Sequence, residues 1–254
     1  MTAGIQVFND SNTIVIDSES INFVLHSKGS ITTQTPPADQ RLYPSGTGMD
    51  AYRYISYYCT SIGVINLYGA PDGGVFAVQC ASNVAPVNFS YPLTSSFGAF
   101  LTVGCEGAVG TTVNWWYFLP VNKMGPSTEG AGLRVFSTTG QIAYDSGYLP
   151  IKYVDAKSGP GSPGNNATGG PFTYPSGRSY ALILSSCGGY MGGKQRATGI
   201  YDYVHIGVGG RVSSNVVYTA DVVGQSEGYN LYSGVPYNPI YLSWSVIVVD
   251  VTNL

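Results

Sequence analysis

Residues 4–18 read Gly-Ile-Gln-Val-Phe-Asn-Asp-Ser-Asn-Thr-Ile-Val-Ile-Asp-Ser, and residues 132–146 read Gly-Leu-Arg-Val-Phe-Ser-Thr-Thr-Gly-Gln-Ile-Ala-Tyr-Asp-Ser. Aligned without gaps, six of the 15 positions are identical: Gly4/Gly132, Val7/Val135, Phe8/Phe136, Ile14/Ile142, Asp17/Asp145 and Ser18/Ser146. Chance gives roughly one identity over such a stretch. The copies stand 128 positions apart in a chain of 254, the offset that a tandem duplication produces. Each copy reads as a β-hairpin. In the first, a strand over 5–8 meets a polar turn at 9–12 and returns through 13–17. Asn12 and Gly140 fall at the same point of the turn, where positive φ is expected and where Asn and Gly are tolerated. The closing Asp-Ser pair bonds its own backbone and stops the strand.

Outward from the two copies, the chain reads as strand and turn throughout. Short apolar runs recur at 14–16, 63–68, 75–78, 115–119, 180–184 and 246–249, rich in β-branched and aromatic types. The 34 Gly and 15 Pro leave no amphipathic stretch long enough for a helix of ordinary length. Regularly spaced short strands predict an all-β fold of sandwich or barrel type. With the repeat, the expectation is two tandem β-sandwich-like domains, 1–124 and 129–254, each closing on a late strand (113–119 and 241–251). The polar Gly/Pro stretch 122–130 is the expected linker. Residues 33–50 and 157–177 read as long loops.

Composition narrows the function. Only 10% of residues are charged and the net charge is −3, with a pI near 5.2. Nucleic acid is not an expected partner, because phosphate binding needs a cationic face. No apolar run reaches the length of a membrane-spanning helix, and residues 1–5 carry no secretory signal pattern. Cys59, Cys80, Cys105 and Cys187 form no CxxC pair, and His26 and His205 are the only histidines. No metal site and no cofactor are therefore expected. Disulfides are compatible with the spacing, but a chain of this size builds a core without them. The cysteines read as small buried thiols of a protein folded in reducing conditions.

The pattern Gly-(Ile/Leu)-x-Val-Phe, ending in Asp-Ser and placed just after Met1, resembles small β-rich proteins of tailed bacteriophages. These are encoded among tail-tip and tail-fibre genes and often open with such a hairpin. The resemblance covers the two 15-residue copies and carries no catalytic content. This chain departs from the pattern in having two copies, and in Asn12 where Gly is usual. The resemblance implies a virion structural protein of the tail, made in the host cytoplasm and assembled with other tail proteins. It further implies a homo-oligomer, trimeric by the symmetry of such assemblies, with contact to a host-surface receptor or glycan. A capsid decoration protein is one alternative, and a polysaccharide-cleaving tail enzyme is another.

Catalytic patterns are weak. There is no G-x-S-x-G elbow, and both histidines read as strand residues. Glycoside cleavage needs paired carboxylates; Glu106, Asp202 and Glu227 are conceivable, but nothing in the sequence pairs them. The match Gly159-Pro160-Gly161-Ser162-Pro163-Gly164 to a dinucleotide fingerprint is spurious, because Pro160 and Pro163 lack the amide donors that face a pyrophosphate. Contact chemistry is stronger. Tyr52 and Tyr54 lie with Tyr57 and Tyr58 in one cluster, and Tyr229, Tyr232, Tyr237 and Tyr241 in another. Tyrosine supplies large, rigid, amphipathic contact area, so these residues are the candidate binding set, the second cluster foremost. The fold class and this set point to a non-enzymatic structural or binding protein.

Overall fold

In a computed structural model of the chain, residues 6–8, 14–17, 20–36, 40–42, 53–57, 59–86, 99–129, 132–159, 169–186, 190–197, 200–230, 240–241 and 244–254 are described. The first half contains β1 (Gln6–Phe8), β2 (Ile14–Asp17), β3 (Phe23–Thr32), β4 (Gln40–Leu42), β5 (Arg53–Tyr57), β6 (Ser61–Leu67), β7 (Val75–Gln79), β8 (Val84–Pro86), β9 (Ala99–Cys105) and β10 (Thr112–Pro120). One helical turn, α1 (Val121–Met124), follows. The second half contains β11 (Arg134–Phe136), β12 (Ile142–Asp145), β13 (Lys152–Gly159), β14 (Gly169–Thr173), β15 (Tyr180–Ser186), β16 (Tyr190–Ala197), β17 (Ile200–Ser213), β18 (Val216–Asn230), β19 (Ile240–Tyr241) and β20 (Trp244–Asp250). The fold is all-β and sandwich-like.

Two antiparallel sheets take up every strand except those of the ribbons β1–β2 and β11–β12. Sheet 1 runs β13-β20-β15-β7-β10-β3. Sheet 2 runs β6-β9-β8-β17-β18; β14 flanks one stretch of β18, and β5 followed by β4 flanks another. In sheet 1 the strand leaving each ribbon (β3, β13) lies outermost. The last strand of that half (β10, β20) comes next, and an inner strand (β7, β15) meets its counterpart at the centre. Sheet 2 repeats the scheme, with β6-β9-β8 meeting β17-β18-β14. The halves 1–124 and 129–254 therefore share both sheets, and the expected boundary divides the chain without dividing a sheet.

Register repeats as well as order. Gln6, Val7 and Phe8 pair with Asp17, Ile16 and Ile14, and Arg134, Val135 and Phe136 pair with Asp145, Tyr144 and Ile142, with the same irregularity before the Phe. Between β10 and β3, Tyr117 and Phe118 face Ser27 and Leu25, leaving His26 as the extra residue of a bulge. Between β20 and β13, Val248 and Val249 face Asp155 and Tyr153, leaving Val154 extra. His26 and Val154 stand 128 positions apart, the offset of the ribbons.

Alternation along the strands fixes the core. Val113, Trp115, Tyr117 and Leu119 of β10 face sheet 2, where they meet Ile65, Val84, Val103 and Cys105. Tyr180, Leu182 and Val248 pack with Val212 and Val217 in the second half. The other face of sheet 1 is also apolar and buries Ala77, Phe118, Ala181, Ile183 and Val249. That burial has a visible cause. The amide of Leu25 donates to the Leu149 carbonyl at 2.8 Å, and that of Ile151 donates to the Phe23 carbonyl at 2.9 Å. The two outer strands of sheet 1 are thereby tied at one end, and the sheet curls around its second face. Burial on both faces explains why 115–119 reads as a continuous apolar run rather than an alternating one.

Two expectations need correction. The long loops 33–50 and 157–177 contain strand: β4 lies in the first, and the end of β13 and all of β14 lie in the second. Gly169-Gly170-Pro171-Phe172-Thr173 reads as a turn, yet it adds to β18 as an edge strand, where a proline without a donor is tolerated. The expected linker 122–130 is not a free tether either. It opens within α1, whose Val121 is buried, and both the amide and the hydroxyl of Ser127 donate to Asp145.

Candidate functional site

Strands β17 and β18 are 14 and 15 residues long, far longer than β8, which touches β17 only where Val84 faces Gly210. Beyond that junction the β17–β18 pair continues as an extension with its own flanking strands. β16 and β19 lie on the β17 side, and β5 and β4 on the β18 side. The extension joins the two tyrosine clusters that the sequence keeps far apart. Tyr54 of β5 stands opposite Gly228, the neighbour of Tyr229. Tyr229 stands opposite Tyr201, Glu227 opposite Tyr203, and Tyr241 opposite Tyr190. Of the candidate binding residues, Tyr54, Tyr229 and Tyr241 thus occupy one strand assembly; Tyr52, Tyr232 and Tyr237 lie outside the described residues. The sequence reading missed Tyr190, Tyr201 and Tyr203. The spacing Tyr201-Asp202-Tyr203 was the available signal, since alternate positions of a strand share a face.

The second ribbon offers a contact surface whose side chains are described. Phe136 is 54% exposed and Leu133 48%, two large apolar side chains facing solvent, and Leu149 just beyond the ribbon is 50% exposed. Asp145 holds this ribbon rigid from beneath. Its Oδ2 accepts from Arg134 Nε at 2.8 Å and from the Ser127 amide at 3.0 Å. Its Oδ1 accepts from Ser127 Oγ at 2.7 Å and from the Gly147 amide at 3.0 Å. Burial alone would raise the pKa of Asp145. The amides of Ser127 and Gly147, the Ser127 hydroxyl and Arg134 outweigh it and hold the carboxyl well below the usual range. In the first ribbon Gln6 occupies the place of Arg134 opposite Asp17, so the ion pair is peculiar to the second copy.

The carboxylates considered for catalysis do not assemble. Asp202 stands opposite Gly228 and Glu227 opposite Tyr203, one step apart in the ladder, and successive ladder positions alternate faces. Glu106 accepts from Asn83 Nδ2 at 2.7 Å in another part of sheet 2. His26 occupies the β3 bulge with its ring edge-on to Tyr117, 5.8 Å between centroids. His205 stands in β17 opposite Gln225 and Met191. Among the described residues no group of three His, Cys, Asp or Glu side chains is placed to hold a metal ion, and no helix is long and apolar enough to cross a membrane.

Comparison with protein-family models, curated proteins and solved structures gives no match to this chain. The functional reading therefore rests on the residues themselves.

Proposed function

We propose that this chain is a non-enzymatic structural protein of a bacteriophage tail tip or fibre assembly. It joins neighbouring tail proteins and contacts the host surface, at a receptor or glycan, through its tyrosine-bearing sheet extension. The observation that carries the contact role is the gathering of tyrosines in one strand assembly: Tyr201 and Tyr229 stand opposite each other, Tyr54 lies one ladder step away on the adjoining strand, and Tyr190 and Tyr241 pair on the flanking strands. Tyrosine is the residue best suited to bury area at low entropic cost. The low proportion of charge fits a subunit packed among others, since interface centres are depleted of charge. The resemblance of the opening ribbon supports the tail assignment, with the protein made in the host cytoplasm and assembled as a homotrimer.

Labelling of particles that carry this chain tests the assignment. An antibody against the chain is expected at the tail tip or fibres, and label on the head would replace the proposal with a capsid decoration role. Incubation with host surface polysaccharide tests the non-enzymatic part. Release of reducing ends would overturn it in favour of a tail enzyme.

A further inference from the structure

Sheet 1 curls around its second face, and the space it encloses is not filled. Phe23 of β3, Val75 of β7, Ile151 just before β13 and Ile247 of β20 pack on this face, yet each stays only partly buried. Together with the buried Ile183 and Val249 they line a cavity of about 590 Å³. The seam between the halves gives this cavity its depth. β7 and β15 pair only at Val78 with Leu182 and at Ala77 with Ile183, so β15 leaves Val75 and Phe76 unpaired on that side. Phe76 lines the same cavity, as do Pro86 of β8 and Leu101 of β9 in sheet 2, so the space extends through this parting from one sheet toward the other. Tyr153 of β13, 59% exposed, stands at the mouth. Its hydroxyl is the one polar side-chain group among the described residues of the lining, and none of them carries a charge.

We propose that this cavity binds one unbranched, uncharged alkyl chain, with the hydroxyl end of a medium-chain alcohol at Tyr153. The volume lies within the range of sites that enclose a single small molecule. The wall is made of strand interiors rather than an outer face, so a small molecule fits where a protein surface does not. Its chemistry selects the ligand. An apolar wall gives water too few hydrogen-bond partners to hold it. A sugar or a charged group entering there loses its own hydration without compensation, whereas each methylene gains by leaving water. The half-buried side chains of Val75, Ile151 and Ile247 would gain in the same way, because a chain lying against them removes their remaining contact with solvent. A course that runs from the interior of sheet 1 through the parting toward Leu101 suits a flexible chain better than a rigid ring system. The hydroxyl stays near the Tyr153 phenol, where it can exchange hydrogen bonds with the phenol and with water. The inference does not depend on the tail assignment.

The test uses the full chain and the primary alcohols from octanol to dodecanol. Calorimetric titration is expected to show saturation at one alcohol per chain, with affinity rising about fourfold for each added methylene. Val75→Phe and Ile247→Phe each place a ring in the cavity, and each is expected to weaken dodecanol binding at least about tenfold while keeping a cooperative thermal transition. Photolabelling needs no variant, so a misfolded substitution cannot obscure it. Dodecanol carrying a diazirine at its chain end should attach, on irradiation, to peptides that contain Val75, Ile183 or Ile247. Three results would overturn the proposal: no saturable binding of any of the alcohols, label confined to peptides outside the lining, or undiminished affinity in the folded Val75→Phe and Ile247→Phe proteins.

Discussion

Ala77 and Ile183 stand opposite each other where β7 meets β15, and the strands beyond them match on either side. Ala77 faces Trp116 of β10, and Ile183 faces Ile247 of β20. The row Trp116, Ala77, Ile183, Ile247 thus reads alike from both ends: last strand, inner strand, inner strand, last strand. The inner strands of the two halves meet at its centre, and that meeting is the seam between them.

Neither half should fold alone. Residues 1–124 leave β7 without a partner on one side, and residues 129–254 do the same to β15; each also exposes half of the apolar face built around Ala77 and Ile183. Neither fragment is expected to show a cooperative thermal transition as a monomer, whereas co-expression should restore a single transition. Within the whole chain, Ile183→Ala is expected to cost about 2–4 kcal/mol in urea unfolding, as for other large-to-small changes in a packed core. A monomeric fragment that melts cooperatively would contradict the shared sheets.

The second ribbon should be acid-sensitive through Asp145. Its carboxyl pKa is lowered in the folded state, so its contribution is fully present above the unfolded value of about 3.9 and is lost as pH falls toward the folded value. Stability measured from about pH 6 down to pH 2 should therefore decline more steeply in the wild type than in Asp145→Asn. Arg134→Ala should cost about 1–2 kcal/mol near neutrality, a modest figure because the guanidinium is 35% exposed. Equal acid limbs for wild type and Asp145→Asn would count against this account.

Gly209 should be the least replaceable of the described glycines of sheet 2. A Cβ there would run into the carbonyl of Val84, backbone against backbone, at the junction of β17 with β8. Gly209→Ala is expected to cost about 3 kcal/mol or more, or to prevent folding. Gly140 offers the contrast. Its φ is 78° at the ribbon turn with open space around it, so Gly140→Ala should cost about 1 kcal/mol from backbone strain alone. Chemical denaturation of the two variants compares the mechanisms directly, and a Gly209→Ala protein as stable as Gly140→Ala would disprove the close approach.

The tyrosine-bearing extension should matter for association more than for stability. Replacing Tyr54, Tyr229 and Tyr241 together by Ser is expected to weaken assembly or attachment at least about tenfold, the loss of roughly 1.4 kcal/mol of interface energy. The melting temperature of the isolated protein should change little. Unaltered assembly and host attachment would remove the extension from the proposed function.

Much of this architecture was legible in the sequence because burial writes itself into composition. The runs at 115–119 and 246–249 announce strands covered on both faces, and the repeat at 4–18 and 132–146 announces ribbons whose registers match. The seam was not legible. It rests on only two residue pairs, Val78 with Leu182 and Ala77 with Ile183, and nothing local to either strand names its partner. β14 was hidden because Gly169, Gly170 and Pro171 carry turn chemistry, while the pairing that makes them strand comes from β18. The tyrosines were visible as clusters, but their meeting depends on β5 crossing to β18.

The seam also sets the order of events during synthesis. β7 leaves the ribosome about 100 residues before β15, an interval of roughly 5–20 s at ordinary elongation rates. Throughout that interval one side of β7 presents unsatisfied amides and carbonyls, next to an apolar face with nothing yet to cover it. The nascent first half is thus an adhesive intermediate, most exposed to aggregation or chaperone capture before residues 180–186 emerge, and slowing translation between the two strands should lower the soluble yield.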